Sequence, residues 1–379
     1  MEYRPFNNVG ALIIKVSHRC NLDCKYCYES TGPGSDMEIE TFRNVISNIF
    51  RESLQKKICI TFHGGEPTLL DNSWYVMAVS HARKTAKVYN KCVFFGIQTN
   101  LIRITESQAK LYHDLGISVG ASLDGPFSSN DPLRNRFKLA YKNYNRLRAQ
   151  GLNIGILMTI NHSNWNHFKK IMRWVESDLD VKKIKVNPIY SVGTGIELPD
   201  LPGEFTFFAQ KDILEFMIST NAEGLTEDNM STELERFFYK DKSSESNKDS
   251  LCRSLKCGAG TKVLGISPNG NIFPCGRFEW HDIKNSLGKF HELPIAEAFE
   301  NKVSEFHGIE NNNWNKCETC EAKSICSYGC QAFIIRSRSK KNIECLPTRL
   351  RYNYIKDNAD RLEPIAENIH KHTCIKDRI

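Results

Sequence analysis

Six short apolar and β-branched segments, separated by stretches of helical periodicity, constrain this chain most. They are 11–16 (ALIIKV), 58–62 (ICITF), 92–98 (CVFFGIQ), 117–123 (ISVGASL), 154–160 (IGILMTI) and 184–190 (IKVNPIY). The first segment between them, 38–54, sets Ile39, Phe42, Val45, Ile46, Ile49 and Phe50 on one stripe, which is helical spacing and not alternation. Six strand–helix units in succession predict an α/β fold with a parallel sheet, which right-handed crossovers wind into a partial (βα)6 TIM-like barrel. The polar run 241–250, DKSSESNKDS, reads as a linker. The barrel is therefore expected over 1–240, and a cysteine-rich domain with a C-terminal helical tail over 251–379.

Barrel chemistry concentrates in the loops after the carboxyl ends of the strands. Four of those loops carry polar motifs: SHRCNLDCKYCYE after the first strand, HGGEP (63–67) after the second, QTN (98–100) after the third and SLDG (122–125) after the fourth. In the first, Cys20, Cys24 and Cys27 form C-x3-C-x2-C. Three thiolates can wrap one small inorganic cluster, yet they fall one short of the four that a closed structural zinc or iron–sulfur site takes. One iron keeps an open position, able to bind the amino and carboxylate groups of S-adenosylmethionine (SAM). The plainer alternatives are a zinc knuckle with a distant fourth ligand and, for GGEP, a tight turn whose glycines supply positive φ.

Fourteen cysteines also call for explanation, because disulfide frameworks belong to small secreted domains and metal ligation is the better default in a reducing compartment. Cys59 and Cys92 stand alone in apolar strands and are expected to be buried small hydrophobes. The other nine follow position 250: Cys252, Cys257, Cys275, then Cys317-x2-Cys320-x5-Cys326-x3-Cys330, Cys345 and Cys374, the last without an assigned role. Eight thiolates suffice for two fully ligated [4Fe–4S] clusters. A pair of zinc ribbons is the alternative, although C-x5-C-x3-C is awkward for ribbon knuckles.

C-x3-C-x2-C followed by GGEP at the next strand end resembles the radical SAM superfamily, over most of the barrel. Gly270-x4-Cys275 and the cysteine ladder after it look like the SPASM domain, the auxiliary-cluster module of peptide-modifying radical SAM enzymes. The resemblance implies that a cluster on Cys20, Cys24 and Cys27 reduces SAM, and that a 5′-deoxyadenosyl radical then removes hydrogen from an unactivated carbon. It places Tyr26 near the adenine, Gly64, Gly65 and Glu66 near the methionine amine, and Ser122 and Arg134 near the ribose and carboxylate. It also implies a nearer auxiliary cluster on Cys252, Cys257, Cys275 and Cys330, and an outer one on Cys317, Cys320, Cys326 and Cys345. The implied cofactors are thus three [4Fe–4S] clusters and SAM; the implied partners are a precursor peptide and a reducing donor such as flavodoxin or ferredoxin.

Sulfatase-maturating enzymes share this layout, QTN and SLDGP, but carry an acidic base directly after the cysteine of G-x4-C, where this chain reads Cys275-Gly276-Arg277. A guanidinium cannot accept the proton lost on oxidising an alcohol or thiol. Cys257-Gly-Ala-Gly, HGGEP and Cys275-Gly-Arg are closer to the maturases that form cyclophanes in ribosomal peptides, in which an auxiliary cluster can take the electron released as the ring regains aromaticity. Formylglycine formation, thioether or ether cross-linking and epimerisation are the alternatives, and an electron-transfer protein is the alternative of another class. The barrel starts within about ten residues of the amino terminus, which is expected to leave leader recognition to the barrel, the SPASM surface or a separate protein. MEYRPFNNVG lacks a signal-peptide pattern, and no apolar run reaches the ~20 residues of a membrane span. A cytoplasmic protein without membrane attachment is expected. The formal charge of +7 is spread over the chain, which suggests mild attraction for an acidic partner and not nucleic-acid binding.

Overall fold

A computed structural model describes residues 6–29, 34–239, 257–290, 296–308 and 317–376. The linker expected at 241–250 and the proposed ligand Cys252 lie outside these residues. The six strands form where the sequence predicts them: β1 (Ala11–Ser17), β2 (Lys57–Gly64), β3 (Cys92–Thr99), β4 (Ile117–Ser122), β5 (Ile154–Ile160) and β6 (Lys183–Pro188). They pair in parallel and in chain order. Short β7 (Thr226–Glu227) extends the sheet beyond β6, and β8 (Val263–Ile266) pairs in parallel with β1. Antiparallel β9 (Asn271–Phe273) and β10 (Gly288–Lys289) complete a ten-stranded sheet whose two ends do not meet. The sheet thus runs without a break across the expected domain boundary.

Helices α1 (Ile39–Glu52), α2 (Asn72–Val88), α3 (Glu106–Asp114), α4 (Phe137–Ala149), α5 (Phe168–Trp174) and α6 (Gly203–Ser219) follow β1 to β6. The stripe read from the sequence buries Phe42, Val45, Ile46, Ile49 and Phe50 of α1. It packs on alternate residues of the strands; Phe62 of β2 meets Phe42, Trp74 and Tyr75 at ring-centroid distances of 6.2, 5.8 and 5.2 Å. Burying one such ring contributes roughly 1.5–3 kcal/mol.

Strand alternation also corrects one expectation. Cys59 and Cys92 are exposed. Ile58, Ile60 and Phe62 take the helix-covered face of β2, so Cys59 falls on the opposite face beside Phe94, which is itself 53% exposed. A fully buried parallel strand is apolar on both faces. Here the amino ends of β2 and β3 are left open on the inner face, and an apolar run did not mean burial.

Helix α7 (Asp228–Phe238) is capped by Glu227, whose buried carboxylate accepts from the N–H of Met230 (2.7 Å) and of Val186 in β6 (2.8 Å). Burial pushes the Glu227 carboxyl up to about 7 against these hydrogen bonds. After α8 (Ala296–Gly308) and α9 (Gln331–Arg336), helices α10 (Cys345–Asp357) and α11 (Ala359–Lys376) lie on α6 and α7. Buried Arg351 of α10 holds Glu233 of α7 through two nitrogens, at 2.7 and 2.6 Å. Among the described residues no helix is long and apolar enough to cross a membrane.

Candidate active site at the carboxyl rim of the sheet

Cys20, Cys24 and Cys27 lie in the loop after β1, half-buried. The backbone of Leu22 donates to Cys20 Sγ (3.5 Å), Asn100 Nδ2 stands 3.7 Å from the same sulfur, and Cys24 Sγ reaches the carbonyl of Arg134 at 3.7 Å. Burial pushes Cys20 up to about 11, with Glu66 and then Cys24 adding to it, and Cys27 up to about 12, with Cys24 and then Glu29 adding to it. Among the described residues the Arg134 guanidinium opposes burial at Cys24, and the Cys24 thiol is pushed up all the same.

The GGEP turn holds this loop from below. Gly64 has φ +127°, and a Cβ on it would overlap the carbonyl of Ser17, while one on Gly65 would overlap that of Arg19. Only glycine permits this approach, and it is used: Gly65 N–H donates to Ser17 O (2.9 Å) and Glu66 N–H to Arg19 O (2.8 Å). The Glu66 side chain is buried and accepts from Thr68 N–H (3.0 Å), Thr68 Oγ1 (2.6 Å), Thr99 Oγ1 (2.7 Å) and Asn100 N–H (2.8 Å). A carboxylate has about four lone-pair sites, so Glu66 chiefly ties the ends of β2 and β3 under the cysteine loop.

Tyr26 and Arg134 come together on a residue that sequence reasoning did not select. Asp124 of SLDG is completely buried; it accepts from the Tyr26 hydroxyl, from Arg134 Nε (3.0 Å) and from the N–H of Thr159 (2.9 Å). Arg134 also lies 5.4 Å from the centre of the Tyr26 ring. Ser122, on the inner face of β4, accepts from Gln98 Nε2 at 2.8 Å and is not part of that group.

A second polar group lines the inner face. Lys15 of β1 is buried, pairs with Glu29 and donates to the carbonyl of Phe278. Beyond it, Tyr28, His63, Tyr190, Arg277 and Phe333 converge: the Arg277 guanidinium lies 5.4 Å from the Tyr28 ring centre and 4.9 Å from that of Phe333, and Tyr190 packs on Phe333 at 4.0 Å. Burial first, then Lys15 and Arg277, pushes the His63 imidazole down to about 3. The N–H of Gly64 donates to its Nδ1 (2.8 Å), which leaves neutral His63 with its proton on Nε2. Arg336 of α9 joins the two halves of this surface, donating to Tyr28 O (2.8 Å), Arg277 O and Glu279, with Asp282 at 3.1 Å.

The later cysteines gather in two places. Cys257, Cys275 and Cys330 pack on one apolar cluster formed by Ala259, Phe273, Phe278, Phe306 and Ala332. Cys317, Cys320, Cys326 and Cys345 form the other group: burial and then nearby charges, among them the Cys345 and Cys317 thiols, push Cys326 up to about 11, and Cys317 feels both Cys345 and Cys320.

Residues 14–175 match the radical SAM superfamily, and residues 257–322 match the SPASM iron–sulfur cluster-binding domain. The chain is a radical SAM enzyme with a SPASM domain. It is 24% identical over 350 residues, 86% of this chain and 88% of the other, to the cysteine-type anaerobic sulfatase-maturating enzyme of Clostridium novyi. To the serine-type enzyme of Klebsiella aerogenes it is 22% identical over 85% of this chain and 80% of the other. Among solved structures, anSMEcpe with bound AdoMet and the Cp18Cys peptide superposes with a TM-score of 0.78 at 22% identity, covering 95% of this chain and 99% of that one. Streptococcus suis SuiB bound to precursor peptide SuiA gives 0.62 at 15% identity, covering 88% and 74%. These likenesses establish a shared fold.

The donor sets of this radical SAM enzyme fit iron–sulfur clusters. Cationic iron supplies positive charge against the burial that pushes the thiols of the first loop up, and the apolar nest around Cys257, Cys275 and Cys330 is a dry shell of the kind that tunes such clusters. Among the described residues no three His, Cys, Asp or Glu side chains converge on the position of one metal ion. A cluster spreads its ligands over separate irons and does not require that convergence. The rim motifs themselves contained several residues that sequence reasoning did not select: Asp124 stood inside SLDG, His63 inside HGGEP, and Tyr28 and Glu29 directly after Cys27. Arg336 carried no signal, because its partners lie between 54 and 308 residues away in the chain.

Proposed function

We propose that this enzyme modifies a ribosomally made peptide, joining an aromatic side chain to the β-carbon of a residue about two positions away. Cys20, Cys24 and Cys27 hold the catalytic [4Fe–4S] cluster; Cys252, Cys257, Cys275 and Cys330 hold the nearer auxiliary cluster, and Cys317, Cys320, Cys326 and Cys345 the outer one. With SAM bound, the first cluster supplies a 5′-deoxyadenosyl radical that removes a hydrogen atom from an unactivated carbon. Tyr26, the GGEP turn, Ser122 and Arg134 contact SAM, and Asp124 fixes both Tyr26 and Arg134.

The observation that carries this reading is the geometry after Cys275. A Cβ on Gly276 would overlap the side chain of Ile13 of β1, so no carboxylate can stand there as a base, and the next residue is an arginine held between two aromatic rings. That arrangement argues against formylglycine formation despite the likeness to sulfatase-maturating enzymes. The rings of Tyr28, Phe333 and Tyr190 offer an apolar wall to an aromatic side chain, and neutral His63 presents a donor.

The test is the mass of a precursor peptide, encoded by a short reading frame beside the gene, after co-production with the enzyme. Each carbon–carbon cross-link removes two hydrogens, about 2 Da per ring, and interrupts tandem fragmentation between the joined residues. Deuterium uptake without mass loss in water would indicate epimerisation, and a hydrazide-reactive aldehyde would establish formylglycine formation; either result overturns the cross-link.

A further inference from the structure

Helix α4 reads FKLAYKNYNRLRA, with four cations and no carboxylate. Lys138, Lys142 and Arg146 recur at four-residue spacing on one face, where like charges repel one another. The loop after β3 adds Arg103, and Arg136 precedes the helix in a left-handed conformation at φ 57°. Arg146 donates to Ile104 O (3.1 Å) and Arg148 pairs with Asp180, but among the described residues no ion pair engages Arg103, Arg136 or Lys142. Between the loop and α4 lies a cavity of about 250 Å³ lined by Arg103, Lys142 and Arg146 around Leu139, which is 39% exposed. Exposed leucine ringed by cations has the anatomy of a docking surface with an apolar centre and a charged rim.

This surface adjoins the first cysteine loop. Asn100, which opens the Arg103 loop, stands 3.7 Å from Cys20 Sγ; Asn143 of α4 holds that loop through Leu101 O (2.7 Å) and Ile102 O (3.3 Å). On the other side, Cys24 Sγ meets the carbonyl of Arg134, two residues before Arg136.

We infer that this face docks an acidic, low-potential electron-carrier protein and sets it beside the catalytic cluster. The inference rests on the radical SAM reading. One electron leaves the carrier's reduced flavin or iron–sulfur group and lowers the charge of the site on Cys20, Cys24 and Cys27 by one unit; an anionic flavin hydroquinone becomes the neutral semiquinone, and no proton is released. An acidic peptide substrate would find the same cations, but its reacting carbon must reach the inner face of the sheet, whereas α4 covers the outer face. Proximity to two cysteines, not to Ser122 or His63, is what favours the carrier.

The test compares the wild type with Arg103→Glu/Lys142→Glu, with Lys84→Glu/Lys87→Glu on exposed α2 positions as an equal change of charge elsewhere. Binding of oxidised flavodoxin is measured by calorimetry at low and high salt, and 5′-deoxyadenosine formation is driven either by reduced flavodoxin or by dithionite, which needs no docking. The expected result is flavodoxin affinity and flavodoxin-driven turnover lowered about tenfold or more in the first variant only, with the wild-type affinity falling as salt rises and dithionite-driven turnover unchanged. Unaltered flavodoxin binding in Arg103→Glu/Lys142→Glu, or loss of precursor-peptide binding in its place, overturns the inference. A wild type inactive even with dithionite would instead defeat the radical SAM reading.

Discussion

The two cysteine regions are built in opposite ways. Cys20, Cys24 and Cys27 occupy one loop, gripped by backbone hydrogen bonds from the Gly64–Glu66 turn and by strand ends of a single sheet. The nearer later group brings Cys257 and Cys275, which flank β8 and β9, together with Cys330 at the start of α9, 55 residues after Cys275. A site made of one loop on a sheet edge can be preorganised by its scaffold before any metal arrives. A site made of separate segments is shaped by the group that it surrounds, since metal binding energy then becomes folding energy.

The largest effect should come from breaking the first region outright. Replacing Cys20, Cys24 and Cys27 by alanine should abolish reductive SAM cleavage and lower iron from about twelve to about eight per chain, counting four irons for each cluster. Iron near four in the unaltered protein would remove the auxiliary clusters from the account.

Next in size is a pH effect on the barrel half, which needs no metal. Burial raises Glu227 to about 7 from an ordinary 4.5, so its favourable contribution is present in full below about pH 4.5 and is lost as pH rises through about 7. The loss amounts to roughly 3 kcal/mol at most, at 1.36 kcal/mol per pKa unit. Urea midpoints should fall between about pH 5 and pH 8 in the wild type, and less steeply in Glu227→Gln; equal slopes would show that the Val186 and Met230 hydrogen bonds offset burial completely.

Glu66→Gln tests how far the first region depends on its turn. An amide cannot accept at both ends, so the variant loses at least one of the bonds from Thr68, Thr99 and Asn100, and SAM affinity should fall by roughly 1.5–3 kcal/mol. Iron content should stay the same. Unchanged SAM affinity would make the carboxylate a tie between strands and nothing more.

The smallest effect separates ligand cysteines from bystanders. Cys59→Ser and Cys92→Ser remove exposed thiols, so stability should move by no more than about 0.5 kcal/mol and bound iron not at all. A drop in iron would place them within reach of a cluster.

The strands, the α1 stripe and the two-region distribution of cysteines were legible because each depends on near neighbours in sequence: period two, period 3.6, or a spacing within one loop. Cys59 and Cys92 were misread for the same reason, since alternation tells one face from the other but not which face is covered.

The sequence by itself determined the parallel order of β1 to β6, the rim position of the first cysteine loop and the presence of enough thiols for auxiliary clusters. Only the tertiary structure decided that β8 joins β1, that Asp124 binds both Tyr26 and Arg134, and that Arg336 reaches Tyr28 from 308 residues away. It also decided that no side chain fits at Gly276. Local periodicity follows from backbone geometry that every segment carries with it, whereas the pairing of a buried charge or the room for a Cβ depends on which distant segments the closed fold sets side by side.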